Sequence, residues 1–205
     1  MRRTKEDTEL SKIRILNAAE EVFCQAGYSG AKMTEIAQLT GMTKGAIFWH
    51  FESKANLFLA VQTRSVARLR EIFDAAFSAP DPIMEKFRKA LLKLRKDKAF
   101  EVLLSLGLGS EESGSVPSEL LFEVHKNIAA ILELARMNIE KARQNGEIHA
   151  DTDFYDILSP LLLIMGGFGK MTEIKKILGA LAGSVDGDKA INALFKGLNS
   201  FQKYK

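Results

Sequence analysis

The sequence predicts an all-α protein, on three observations. Apolar residues recur at helical spacing in one segment after another, and no run shows the strict alternation of a half-buried strand. Only four prolines interrupt 205 residues that are rich in Ala, Leu, Lys and Glu. The chain reads as about nine or ten helices, without internal repeats.

Residues 1–9 are charged and are expected to be mobile. Thr8 or Ser11 caps a first helix whose inward positions are Ile15, Ala19, Val22, Phe23 and Ala26, and Gly27 ends it. From Met33 to Leu57 the pattern is two short helices and a tight turn. Ile36, Ala37 and Leu39 give the first an apolar side, Gly41 supplies the positive φ of the turn, and Thr43 caps the second. In that second helix Ile47 and Phe51 face inward, four residues apart. Lys44, Gly45, Phe48 and Trp49 are left on the outer side, with His50 at its edge.

Ser53 caps a long helix with Leu57, Phe58, Val61, Leu69, Ile72, Phe73 and Ala76 on one stripe. Pro80 and Pro82 break the chain and suggest a boundary between subdomains. Phe87, Leu91 and Leu94 mark the next helix, and Phe100, Leu103, Leu104 and Leu106 a shorter one. Residues 107–115 read as a flexible loop. Ser118 opens a long helix through Leu121, Phe122, His125, Ile128, Ile131, Leu132, Ala135 and Ile139, stopped near Asn145-Gly146. Asp151 to Asp156 cap another through Leu158, Leu161, Leu162 and Met165, weakened by Gly166, Gly167 and Gly169. A helical pattern resumes over Met171 to Leu181, and Asp186-Gly187-Asp188 start a last helix bearing Ile191, Leu194, Phe195 and Leu198.

Composition narrows the function classes. Apolar content of 46% and charged content of 27% are ordinary for a globular protein. A net charge of +3 is too small for a protein that coats nucleic acid without specificity, yet it allows a local basic patch. One cysteine, Cys24, cannot form an internal disulfide and is expected to be a small buried side chain. No apolar stretch follows Arg2-Arg3, and Leu161 to Met165 is too short to span a bilayer, so the expected location is the cytoplasm, without membrane contact.

No enzyme, metal or cofactor is expected. His50, His125 and His149 are far apart, none follows a glutamate by three, and there is no cysteine cluster. Gly166 to Thr172 looks superficially like a phosphate loop, but Met171 separates Lys170 from Thr172 and no strand precedes it. The basic run Lys86, Arg88, Lys89, Lys93, Arg95 and Lys96 reads as a solvated helix face. His149 reads as a surface loop residue.

The outer side of the short helix after Thr43 is different, because a lysine beside exposed aromatics needs a partner. A helix N-terminus, a cation and apolar groups suit the major groove of duplex DNA. Ile36-Ala37, Gly41-Met42-Thr43, Gly45-Ala46-Ile47, His50-Phe51, Lys54 and Leu57, with Ala18-Ala19, Phe23 and Gly27-Tyr28 upstream, resemble the DNA-binding domain of TetR-family transcriptional regulators, more closely the AcrR-like branch. The likeness covers roughly the first quarter to third of the chain, with many positions in register. It departs at Ala31-Lys32, where the family usually has threonines. It departs again at Phe48, where a tyrosine hydroxyl would otherwise bond a phosphate.

The resemblance implies a three-helix helix-turn-helix domain over residues 1–54. A long helix would join it to a helical effector-binding and dimerisation domain over residues 55–205. The partners implied are an operator in double-stranded DNA, a small-molecule effector and a second copy of the chain. Thr43, Lys44, Gly45, Phe48, Trp49, His50 and Lys54 form the expected DNA face. Gly45 permits close approach, Lys44 offers donors to a guanine edge or a phosphate, and Trp49 brings apolar area toward thymine methyls. By resemblance His50 and Lys54 hold phosphates, while Arg2, Arg3 and Lys5 form an arm for the minor groove. Phe87, Phe100, Leu104, Phe122, His125 and Phe168 are candidates to line an apolar effector cavity, although core packing also explains the aromatics, and a hydrogen-bonded place at a core margin also explains His125. The expected function is a ligand-responsive regulator, a repressor released by a mostly apolar effector. The alternative is a helical interaction module whose head has lost its DNA, and a nucleoid-type architectural protein is disfavoured by the near balance of charge.

Overall fold

The computed structural model describes residues 5–97, 118–169 and 187–201, which form eight helices and no strand. They are α1 (Lys5–Gly30), α2 (Met33–Thr40), α3 (Lys44–Phe51), α4 (Lys54–Ser78), α5 (Ile83–Leu94), α6 (Ser118–Gln144), α7 (Phe154–Gly169) and α8 (Gly187–Phe201). Residues 98–117, where Phe100, Leu104 and the loop were expected, lie outside the described residues, as do Met171 to Leu181. The chain divides into two compact units, residues 1–68 with 98–128 and residues 69–97 with 129–205. The division falls inside α4 rather than before it. A boundary at 54/55 is therefore a proposal about which residues read DNA, separate from this packing division.

The first unit is built around α1. Its helix begins at Lys5, without waiting for Thr8 or Ser11, and Glu6 and Asp7 place carboxylates at the positive helix N-terminus. Residues 5–9 are thus helical rather than mobile, and Lys5 stands in the first turn of α1 rather than in an arm; Arg2 and Arg3 lie outside the described residues. Gly27 breaks the helix at φ 65°, ψ −177°, a region open essentially only to glycine.

Ile15, Ala19, Val22 and Phe23 meet Ile36, Ile47, Phe51, Leu57, Phe58 and Val61 in one core. Phe23 and Phe58 pack edge to face at 5.0 Å, and Tyr28 meets Phe58 at 4.8 Å. Cys24 is half-buried against the same core. Leu39, expected on the apolar side of α2, is exposed; the inward position is taken by Thr40, whose hydroxyl donates to the Ile36 and Ala37 carbonyls.

The second unit is tied by long-range side-chain bonds. Glu147 accepts a 2.8 Å hydrogen bond from the Ile83 N–H, capping α5, which has no local side-chain cap. Arg88 donates to Asn192 at 2.6 Å, and Arg95 and Lys96 both meet Asp188. The basic run of α5 is therefore largely engaged within the chain, to α8 and to Glu85 and Asp81, instead of being a plain solvated face. Arg88 holds the Glu85 carboxyl below its ordinary range, chiefly through their hydrogen bonds, and Arg95 does the same to Asp188.

Two helix ends that the sequence marks in this unit are formed as expected. At Gly146, φ is 71°, with Glu147 N–H to Ala142 O and Gly146 N–H to Arg143 O closing α6. At the start of α7, Asp153 accepts from the Tyr155 N–H while Asp156 accepts from the Asp153 N–H, a reciprocal capping box.

Candidate nucleic-acid interface

Backbone turns fix α2 and α3 to one another. Gly41 sits at φ 64°, ψ 21°, its N–H bonding Gln38 O while the Met42 N–H bonds Ala37 O, the paired bonds of a Schellman end. Thr43 then turns the chain into α3, its hydroxyl accepting the Ala46 N–H at 3.2 Å. At Lys32, by contrast, α2 begins with no side-chain cap, as expected from the absence of threonine there. Arg14 of α1 donates to Thr40 O at 2.8 Å and holds the end of α2 in place.

With Ile47 and Phe51 buried, α3 presents Thr43, Lys44, Gly45 and Trp49 to solvent. Trp49 is 67% exposed, the largest aromatic surface of the head, and its indole meets the His50 ring edge to face at 4.8 Å. A Cβ placed on Gly45 would find only the Thr43 hydroxyl, at 3.9 Å, so packing among the described residues does not require a glycine there. Phe48 was expected on the outer face. It is half-buried against the head core, because it lies three residues from buried Phe51 on the same flank. Its ring supports Lys44, whose Nζ lies 5.7 Å from the centroid.

The α3–α4 junction is tight. Glu52 is the only non-glycine residue with positive φ among the described residues, at 62°, and the Ser53 N–H bonds Phe51 O across it in a γ-turn. Ser53 Oγ accepts the Asn56 N–H at 3.0 Å and opens α4. Lys54 is half-buried: its Nζ donates to Ser29 O at 3.3 Å and stands 4.8 Å from the Tyr28 ring centroid, and desolvation lowers its pKa from the ordinary lysine value. The bond to Ser29 O uses one of the three ammonium protons.

A contact that the sequence pattern did not reveal anchors α4 to α1. Glu20 is buried, and its carboxylate accepts from Arg64 and, at 3.2 Å, from Arg68, while Arg64 also donates to Asn17 at 2.8 Å. One signal was available: Glu20 lies beside Ala19 in a run of buried positions, where an unpaired carboxylate could not remain.

Of the six expected effector residues, Phe87, Phe122 and His125 have described side chains. Phe87 is a core residue of the second unit, packed on Phe77 at 5.2 Å. Phe122 is 66% exposed and His125 is also at the surface, so neither lines an enclosed cavity here and His125 is not at a core margin. Phe122 stands nine residues before buried Ile131, two and a half turns, and so on the opposite face of α6. Phe168 belongs to α7, but its side chain lies outside the described residues, as do Phe100 and Leu104.

Among the described residues no group of three or more His, Cys, Asp or Glu could hold a metal ion. Likewise no described helix is long and apolar enough to cross a membrane.

A capped, glycine-bearing helix held out from a three-helix core defines a helix-turn-helix DNA-binding protein. The pattern of the family described as "Bacterial regulatory proteins, tetR family" matches residues 15–61. The transcriptional repressor BepR of Brucella suis is 30% identical over 173 residues, spanning 82% of this chain and 83% of that one. The regulator TtgR of Pseudomonas putida is 43% identical over 61 residues, 30% of this chain and 29% of its own. Among solved structures, FadR from Bacillus subtilis in complex with stearoyl-CoA superposes with a TM-score of 0.70 at 17% identity, over 91% of this chain and 96% of that one. AibR in complex with isovaleryl coenzyme A and operator DNA gives 0.64 at 17%, over 90% and 96%. The chain belongs to the tetR family of bacterial transcriptional regulators.

Proposed function

We propose that the chain is a one-component repressor that holds an operator through α3 and releases it when a small, mostly apolar effector binds. The observation that carries the DNA half is the exposed face of α3: Lys44, Gly45 and Trp49 stand free of the core on a helix whose other side the core consumes. Lys44 and Trp49 act on base edges, and His50 and Lys54 position the backbone. Without a tyrosine hydroxyl, Phe48 contributes through Lys44, by holding the ammonium over its ring. The effector half rests on kinship with named repressors and on fold neighbours solved in complex with stearoyl-CoA and with isovaleryl coenzyme A.

The working unit is a homodimer in the cytoplasm. One head spans one half-site, and half-sites recur about 34–36 Å apart on one face of the duplex. The last two long helices, around Leu158 to Met165 and Ile191 to Leu198, are the expected dimer contact, but Ile191 and Phe195 are buried within the chain on the side of α8 tied to α5. The proposed contact therefore uses the outward face of α8, at Ala190 and Ala193, with exposed Tyr155 of α7.

Retardation of a fragment from the promoter region of the protein's own gene tests this reading. A repressor gives a complex displaced by the unlabelled fragment and not by random DNA; equal displacement by both would mean binding without specificity, and no complex at all would leave only a helical module with a disabled head.

A further inference from the structure

The buried stripe of α4 has a polar interruption. Phe58, Val61, Val66, Leu69, Ile72 and Phe73 are buried along it, and among them Gln62 is 0% and Ser65 1% exposed. Spaced i and i+3, these two side chains share one face of one turn. Gln62 Nε2 and Oε1 and Ser65 Oγ are all enclosed, and none has a hydrogen-bond partner among the described residues. Buried amides and hydroxyls are nearly always bonded, because stripping their water without replacement is costly. Apolar residues at 62 and 65 would continue the stripe without that cost.

We propose that Gln62 and Ser65 anchor an uncharged hydrogen-bonding group of the effector: an amide, a carbonyl or a hydroxyl. This rests on the reading of the chain as ligand-responsive. The Gln62 amide offers both donors and an acceptor, and the Ser65 hydroxyl offers one of each, so together they match a group that gives and takes hydrogen bonds. Neither carries charge, and the neighbouring cations of α4, Arg64 and Arg68, are already on Glu20. Among the described residues of α4 no charge is left to pair with a carboxylate or ammonium here, and either would lose its hydration, whereas a neutral polar end recovers the bonds it gives up. The placement also supplies a route to the head. Arg64, between the two anchors in sequence, is bonded to Glu20 and Asn17 of α1, so a ligand that draws on this turn acts where α4 is fastened to the reading head.

Octanamide, 1-octanol and octanoate share an apolar body and differ at the polar end. The melting temperature of the full-length protein is measured with each, for wild type, Gln62→Leu and Ser65→Ala. The anchor predicts that octanamide and 1-octanol raise the wild-type Tm by on the order of 5 °C at about ten times Kd, while octanoate does not. Gln62→Leu melts higher than wild type without ligand and loses the octanamide shift; Ser65→Ala weakens octanamide roughly tenfold. The proposal is overturned by equal octanamide shifts in wild type and Gln62→Leu, by a larger shift with octanoate, or by no shift from either neutral probe. It is equally overturned if a crystal structure with octanamide shows only ordered waters on the Gln62 amide. Operator retardation judges the underlying reading independently. If wild type prefers its operator and a compound releases Gln62→Leu as readily as wild type, the repressor stands and the anchor falls. If wild type shows no preference for operator, the repressor reading falls, and the anchor is decided by the melting shifts alone.

Discussion

In the reading head, the successive helices α2, α3 and α4 are joined by tight backbone turns, with side-chain bonds tying them back to α1; in the second unit, the bonds from α5 to α8 and to Glu147 come from side chains that reach still farther along the sequence. The Schellman end at Gly41, the Thr43 cap, the γ-turn at Glu52 and the Ser53 cap all act within a few residues. Arg88 with Asn192, Arg95 with Asp188 and Glu147 with Ile83 span separations of 104, 93 and 64 residues. Turns lock angles, because moving them means rotating backbone dihedrals out of their wells. Half-exposed ion pairs are worth little individually and exchange partners readily. A helix presented to DNA is served by the first kind of construction, because its angle to the rest of the head is held by the backbone itself.

The largest effects should come from emptying either core. Phe23→Ala and Phe195→Ala each remove a fully buried ring and should each cost about 3–5 kcal/mol. Trp49 is the only tryptophan, so its fluorescence follows the head while far-UV circular dichroism follows all helices. In urea, Phe23→Ala should shift the fluorescence transition most and Phe195→Ala the dichroism. Coincident shifts in both variants would dissolve the contrast between the units.

Next in size is Glu20→Ala, which strips Arg64 and Arg68 of their buried carboxylate and should cost about 1–3 kcal/mol. Urea midpoints check it, and a change inside about 0.5 kcal/mol would mean that the clamp adds nothing to stability.

Gly45→Ala separates folding from reading. The helix gains about 1 kcal/mol from the better helix former, since space around the new Cβ is open, yet operator affinity should fall because the methyl stands where the duplex approaches. A variant that is more stable and binds as tightly would show that DNA does not come close to this helix end.

The smallest effect is acid sensitivity of the α5–α8 contact. Folding lowers the pKa of Asp188, and of Glu85, so their stabilisation is complete above the unfolded values, about 3.9 and 4.3, and is lost as pH falls through the lower folded values. Asp188→Asn should flatten the loss of stability below about pH 4, read as a smaller drop in Tm than wild type shows.

The contrast between units also explains what could be read from sequence. Gly41, Thr43, Ser53, Gly146 and the Asp153–Asp156 box carry their structural meaning within a few residues, and each was legible before any coordinates. The outer face of α3 was legible apart from Phe48, whose burial depends on how the head core closes over Phe51. Phe122 and His125 were misplaced because an apolar stripe gives a helix a period without saying which turn meets the core. Ile191 and Phe195 showed an apolar face but not its partner, and the partner was α5 of the same chain. Glu20, Gln62 and Ser65 needed a different question, namely which polar residues occupy apolar positions.

The central claim is that α3 reads sequence with Trp49 and Lys44 while Lys54 positions the backbone. It is tested most directly by the affinities of Trp49→Ala and Lys54→Ala for operator and random DNA across a salt series. Trp49→Ala should narrow the operator-to-random gap, by about 1–3 kcal/mol per lost base contact, and leave the salt slope unchanged. Lys54→Ala should weaken both DNAs alike and reduce the slope by about one. If Trp49→Ala instead lowers both affinities equally and keeps the gap intact, α3 does not read bases through Trp49 and the division into readers and positioners is wrong.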